Sequence, residues 1–322
     1  MRWFVLSLAL VSAAGTLSAC AGGGSPADSA RAGAPGIAPP LDDAFTSGLY
    51  VGQSGAVYGF PAMNEHNRGP KCTLSGLYPD DIAVDGNGNL IVPDIGGTGN
   101  ILVFQGPQMC GTQVGSISDP YGYPADAASN DAINGNIVVA NLFDANKKGH
   151  QRPGSVLVCT IAAGCTKNLT NHTVYKVGGV AMAPNGDCWA SVWNKDVFPE
   201  LLYFAGCSGR GKIAKGFVNR SYGSLDIDNN GNIVSIDVDG QSLYVYSGCN
   251  PACTLVGGPF ALKNESFSGK LNQNNTEFAA GNVRDHEVDV YQYTPYALTF
   301  QYSFNKKIST FPGVAFNPRS KE

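Results

Sequence analysis

Long apolar runs are missing from this chain beyond its first twenty residues, and so are blocks of like charge. Charged residues make up only 14%, with 21 Lys and Arg against 25 Asp and Glu, a formal net charge of −4. That balance offers no basic surface for nucleic acid or for an anionic membrane. The 4 histidines, His66, His150, His172 and His286, are scattered, which argues against a His-rich metal cluster. No G-x-S-x-G elbow, phosphate-binding loop or dinucleotide fingerprint occurs. No CxxC pair or zinc-type Cys/His spacing occurs either.

What is present begins with an address. Arg2 and the apolar stretch Trp3 to Leu10 precede Leu17-Ser18-Ala19-Cys20, the pattern of a bacterial lipoprotein signal. The stretch is too short for a spanning helix. Residues 1–19 are therefore expected to be a signal peptide, with Cys20 the lipidated first residue and the chain anchored rather than spanning. Ala21 at the next position suits outer-membrane sorting, with the protein on the periplasmic or surface face. Residues 20–44, rich in Gly, Ala, Ser and Pro, lack core-forming side chains and read as a tether.

Of the 9 cysteines, setting Cys20 aside leaves eight, an even number that points to disulfides in an exported chain. Cys159 and Cys165 flank a tight turn, as do Cys249 and Cys253. Cys188 and Cys207 lie on two strands joined near Val197. Pairing Trp193 with Leu201 places them opposite each other. Cys72 and Cys110 hold similar places in successive repeats and are expected to pair between them.

The repeats carry the architecture. An apolar strand, an Asp/Asn-Gly turn, a second apolar strand and a polar residue recur as DIAVDGNGNLIVPD (Asp81 to Asp94), GVAMAPNGDCWASVWN (Gly179 to Asn194) and SLDIDNNGNIVSID (Ser224 to Asp237). Degenerate copies run from Tyr123 to Asn141 and from Gly269 to Asn282. Recurrence at roughly 45–50 residues marks a repeated supersecondary unit, here a four-stranded propeller blade. Six third strands follow: Gly55 to Phe60, Asn100 to Gln105, Ser155 to Cys159, Leu201 to Gly206, Ser242 to Gly248 and Val288 to Tyr293. His172 to Val177 and Phe300 to Asn305 read as fourth strands. Five inner hairpins against six third strands leave one inner strand missing, and Gly313 to Asn317 is expected to supply it to the blade begun at Leu49. The fold class is thus all-β, a six-bladed propeller over residues 45–322 closed by pairing of its C-terminal strand with the N-terminal blade.

The segment Asp80 to Phe104 resembles an NHL-type propeller repeat, and the likeness extends weakly over residues 45–322. That pattern is shared by a broad superfamily including the gluconolactonase/regucalcin group and streptogramin lyases. The resemblance implies a divalent cation, such as Ca²⁺, held by carboxylate and amide groups at the starts of inner strands. Only Asp80, in Pro79-Asp80-Asp81, matches such a position here. Gly178, Gly223, Ser268 and Pro312 occupy the others, so no cofactor is expected.

Candidate ligand-binding residues fall into two axial sets. Asp94, Asn141, Asn194, Asp237 and Asn282, with Gln53, end the second strands. They either form a polar ring at the channel mouth or accept backbone hydrogen bonds in the next turn. Aromatic residues precede most first strands: Tyr78, Tyr121, Tyr222, Phe267 and Phe311, with Val177 in the fourth blade. Together with Trp193 they either stack on a ligand or wedge between blades. Asp85-GNGN and Asp228-NNGN resemble the start of a calcium loop but stand where a hairpin turn is needed. His286, on a loop between second and third strands, is a candidate base or a solvated loop residue. The reading leans away from an enzyme. It favours a monomeric envelope propeller that binds a protein, glycan or small ligand. The alternative is a metal-dependent lactone hydrolase or lyase using Asp80, Asp94, Asn194 and Asp237.

Overall fold

The computed structural model describes residues 48–61, 69–96, 99–144, 153–169, 174–305, 307–308 and 310–317. The expected signal, Cys20, the tether and His66, His150 and His172 lie outside these residues. The described strands form six sheets of four antiparallel strands each. Among the described residues, helix is limited to one 3₁₀ turn, Ala205–Cys207. None of the described helices is long and apolar enough to cross a membrane.

Each sheet is one blade. Blade 1 orders β24 (Gly313–Asn317), β1 (Gly48–Gln53), β2 (Ala56–Phe60) and β3 (Cys72–Ser75) from the axis outward. Blade 2 runs from β4 (Ala83–Val84) through β5 (Leu90–Pro93) and β6 (Asn100–Phe104) to β7 (Gln113–Ser118). Blade 3 holds β8 (Pro124–Ser129), β9 (Ile137–Asn141), β10 (Ser155–Thr160) and β11 (Gly164–Asn168). Blade 4 holds β12 (Val174–Met182), β13 (Cys188–Asn194), β14 (Pro199–Phe204) and β15 (Lys212–Ile213). Blade 5 holds β16 (Leu225–Ile227), β17 (Ile233–Asp237), β18 (Ser242–Ser247) and β19 (Thr254–Ala261). Blade 6 holds β20 (Ser266–Leu271), β21 (Glu277–Asn282), β22 (Glu287–Thr294) and β23 (Ala297–Phe304).

The expected closure is present. β24 pairs with β1 from Gly48↔Asn317 to Gly52↔Gly313, which removes an open edge and ties the last described strand to the first. Apolar side chains alternate along the strands and fill the space between neighbouring blades. One such cluster joins blades 6 and 1, where Val290 and Phe304 meet Val51, Phe60, Val314 and Phe316. The Phe60 and Phe304 rings meet edge to face at 5.3 Å. The other five clusters fill the remaining junctions of the ring. Each fully buried aliphatic or aromatic side chain contributes about 1.5–3 kcal/mol, so ring closure is driven mainly by these interfaces.

The hairpin turns show why Asp/Asn-Gly recurs. Asp85 Oδ1 accepts the amides of Asn87 and Asn89, and Asp85 Oδ2 accepts Asn89 Nδ2 at 2.8 Å. Gly88, at φ 84°, turns the chain in the left-handed region that glycine adopts without strain. Asp228, Asn230, Asn232 and Gly231 repeat the arrangement. In both loops the carboxylate closes a turn.

Four disulfides join Cys72–Cys110, Cys159–Cys165, Cys188–Cys207 and Cys249–Cys253. The first links blades 1 and 2. Two details of blade 4 depart from expectation. Trp193 pairs with Pro199 rather than Leu201, because the hairpin closes tightly between Asn194 and Phe198. Cys188 therefore faces Phe204. Cys207 still reaches it, since the 3₁₀ turn curls the chain back to a Cα–Cα distance of 5.2 Å. Val174 to Val177 is no fourth strand. It begins the nine-residue inner strand β12, which continues through Gly178-Gly179 by way of β-bulges. The fourth strand of blade 3 is β11. The same apolar alternation suits an edge or an inner strand, so pattern alone did not separate them.

Candidate axial binding site

The six inner strands bring equivalent residues to the axis in layers. Counting back from each hairpin turn, one layer contains Asp81, Asp126, Gly179, Ser224, Ser268 and Gly313. The next contains Ala83, Ala128, Ala181, Asp226, Lys270 and Ala315. Small residues dominate because six strands converge here. A Cβ on Gly179 would collide with the carbonyl of Gly223 in the adjacent blade.

Charge at this hub sits on four residues. Lys270 Nζ lies 3.3 Å from Asp126 Oδ1, across the axis from blade 6 to blade 3, and 4.0 Å from Asp81 Oδ2. It also donates to the Leu225 carbonyl at 3.0 Å. Asp126 accepts the amides of Ala127 and Val180 at 2.8 and 2.9 Å, stitching β8 to β12. Asp226 accepts Ile227 N and Leu271 N, stitching β16 to β20. Asp81 Oδ1 accepts Ile82 N and the Ser268 hydroxyl, and Val314 N donates to Ser268 Oγ. Asp81 Oδ2 accepts no hydrogen bond. Burial pushes all three carboxyls up, while Lys270 opposes that shift. The Lys270 ammonium is itself held above its ordinary range: burial works against the charge, but the surrounding carboxylates outweigh it.

Above the hub lies a cavity of about 290 Å³, lined by Asp80, Asp81, Leu142, Gly178, Tyr222, Gly223, Phe267, Ser268 and Phe311 among others. Phe311 is 58% exposed and Phe267 43%, so both rings stand at its rim. On the same face, the turn after β13 exposes Val197 and Phe198. Asp80 opens to solvent within this concave mouth. Crowding by the surrounding protein, then the neighbouring Asp81 charge, pushes its carboxyl up to about 6. A separate cavity of about 120 Å³ on the opposite side is lined by Asp226 and Lys270 among small inner-strand residues.

The expected axial residues divide. Asp80, Tyr222, Phe267 and Phe311 line the upper cavity. Trp193 stands behind the rim, its ring edge-on to Tyr222 at 4.6 Å and Lys176 Nζ 5.6 Å from its centroid. Tyr121 packs at the junction of blades 2 and 3 and accepts a hydrogen bond from Asn168. The strand-end residues are engaged in turns. Asp94 accepts Tyr78 N, and Asn141 accepts Tyr123 N. Asn194 accepts the amides of Asp196 and Phe198. Asp237 accepts Arg220 N, Ser221 N and Gly240 N, and Asn282 accepts Arg284 N and Asp285 N. Gln53 donates to the Lys307 carbonyl. His286 sits at φ 53° in the turn after β21.

A divalent cation does not fit these donors. Asp94, Asn194 and Asp237 spend their oxygens on backbone amides, and the hub carboxylates already surround an ammonium group. Among the described residues, no three His, Cys, Asp or Glu side chains gather as a ligand set. The residues that sequence reasoning missed are Asp126, Asp226 and Lys270. Their only signal was a charge placed on a short inner strand otherwise built of small and apolar residues.

No protein family known by its sequence matches this chain, and no curated protein does. The fold does have solved relatives. A chain of the nidogen/laminin complex matches at TM-score 0.63 and 14% identity, covering 85% of this chain and 100% of its own. The periplasmic gluconolactonase PpgL of Pseudomonas aeruginosa matches at 0.55 and 14%, covering 84% and 98%. A protein of unknown function from Bacteroides caccae matches at 0.56 and 12%, covering 84% and 98%. At these identities the likeness establishes the propeller fold, and the activity must be argued from the site.

Proposed function

We propose that this chain is an exported, monomeric propeller, lipid-anchored through Cys20, that acts as a binding module for a protein, glycan or small ligand. The observation that carries this reading is the aromatic-rimmed cavity at the upper axial mouth, set over a hub whose polar groups are committed to holding the blades together. Pockets of this size, apolar with a few converging polar groups, are the usual form of a ligand site. The four disulfides support an oxidising compartment, and the Leu17 to Cys20 motif supports the anchor. Among the solved neighbours, one belongs to a nidogen/laminin complex and another is named a gluconolactonase, so the fold serves binding as well as hydrolysis.

The test combines address and activity. Cys20→Ser should release the protein from membrane. Persistence with membrane after high-salt washing would refute the anchor. Wild-type protein should retain a ligand from native envelope that the cavity variant Phe311→Ala, which removes a rim ring, holds less well. Enzyme-like hydrolysis of lactones, lost on Asp80→Ala, would overturn the binding reading in favour of a hydrolase.

A further inference from the structure

The upper cavity and hub together are short of positive charge. Asp80, Asp81, Asp126 and Asp226 are arranged along the axis with one ammonium group, and Lys270 is held by Asp126 at 3.3 Å, by Asp81 at 4.0 Å and by the Leu225 carbonyl. The residues lining the cavity include two carboxylates and no cationic side chain. Asp81 is only 5% exposed; its Oδ2 accepts no hydrogen bond and has Lys270 Nζ at 4.0 Å. Asp80 above it accepts none from the described residues. Four carboxylates thus share one buried ammonium, and Asp80, the one that opens into the cavity, has no cation of its own among the described residues.

We propose that the ligand supplies that cation, and that the cavity receives an organic one, a primary amine or guanidinium on a hydrocarbon stem. This deepens the binding-module reading and rests on it. The rim selects against a bare metal ion. Ca²⁺ needs six to eight oxygens, and Asp80 is the one exposed carboxylate on the cavity wall. Tyr222, Phe267 and Phe311 instead offer aromatic surface to a stem and π-faces to a cation. The cation sits at Asp80, with Asp81 adding its field from behind, and the stem lies against the rings.

Titration calorimetry with n-pentylamine, 1-pentanol and pentanoate tests this, with aromatic NMR signals locating the site. The amine is expected to bind about tenfold tighter than the alcohol, and pentanoate more weakly still. Asp80→Asn should bring amine and alcohol within about twofold, and Phe267→Ala should weaken both, the amine at least as much as the alcohol. Gly-Lys-Gly and Gly-Arg-Gly then separate the sources. Peptide binding as tight as the free amine assigns the site to a partner's side chain, and weaker peptide binding assigns it to a small amine. Alcohol binding as tight as amine would overturn the cation inference and leave the binding cavity standing. Ca²⁺ displacing the amine from Asp80 would overturn it also. If no compound perturbs Tyr222 or Phe267 at millimolar concentration, the binding-module reading fails with it.

Discussion

At the hub, Asp126 gives both carboxylate oxygens to backbone amides and faces an ammonium 3.3 Å away. One layer higher, Asp80 carries the same functional group with no such partners among the described residues, beside another carboxylate, in a mouth rimmed by exposed rings. The difference is one of satisfaction rather than chemistry. The lower carboxylate is part of the fold because every alternative leaves a buried charge unpaired. The upper one destabilises the folded chain slightly and is available to something outside it. A propeller hub can therefore hold structural and receptive carboxylates within one or two residues of the axis.

The largest effect expected comes from removing the strand that supports both layers. Deleting Phe311 to Glu322 takes away β24, the Val314 amide on Ser268 and the apolar contacts between blades 6 and 1. The truncated protein should show no cooperative melting transition. A melting temperature equal to wild type would refute closure by β24. Next comes the hub charge. Lys270→Met strands three buried carboxylates and should cost about 3–5 kcal/mol in urea unfolding. Adding Asp126→Asn should recover part of that loss. An unchanged midpoint for Lys270→Met would erase the distinction between hub and mouth.

A covalent staple far from the axis should matter less than the hub. Replacing Cys188 and Cys207 with serine opens a loop of 19 residues' separation. It should cost about 3 kcal/mol, or about 5–8 °C of melting temperature, without changing the fold. Non-reducing peptide mapping checks the pairing itself. A peptide joining Cys207 to another cysteine would contradict the geometry of blade 4.

The fold was legible because its signals are local. Strand, turn and strand recur within single hairpins, and the count of third strands exposed the one inner strand supplied by Gly313 to Asn317. Cysteines flanking tight turns announced themselves for the same reason. Legibility failed where two placements share one pattern. Val174 to Val177 alternates as an outer strand would, and only its continuation through Gly178-Gly179 makes it an inner one. The hub was hardest to read. Asp126 and Lys270 are 144 residues apart and meet only because blades 3 and 6 oppose each other across the axis. The strand-end residues show the converse: their type was evident, but Asp and Asn suit a ligand ring and a turn equally well. Hydrogen bonds in the folded chain place Asp94, Asn141, Asn194, Asp237 and Asn282 in turns.

The smallest expected effect is a pH profile, read at the one carboxyl that faces the cavity in the open. Asp80 has its carboxyl raised from the ordinary aspartate range to about 6, first by the crowding of the surrounding protein and then by Asp81. A carboxyl raised on folding binds more protons folded than unfolded. Its contribution to stability is thus fully present below about pH 4 and is lost as pH rises through about 6. Asp80→Asn keeps the neutral form at every pH and should flatten that part of the profile. Because Asp80 is open to solvent, the gain at pH 7 should be modest, about 1–2 °C of melting temperature. The groups whose titration feels Asp80 are Asp81, Tyr123 and Tyr222, and the tyrosines stay neutral throughout this range. Subtracting the variant's profile from wild type removes the contribution of Asp126 and Asp226, which titrate in both, and leaves Asp80 together with its effect on Asp81. Pentylamine affinity should move the opposite way in wild type, strengthening from pH 5 to pH 7, and should lose that dependence in Asp80→Asn. A variant less stable than wild type at pH 7 would place Asp80 among the structural carboxylates, with Asp126, and remove the contrast between the two layers.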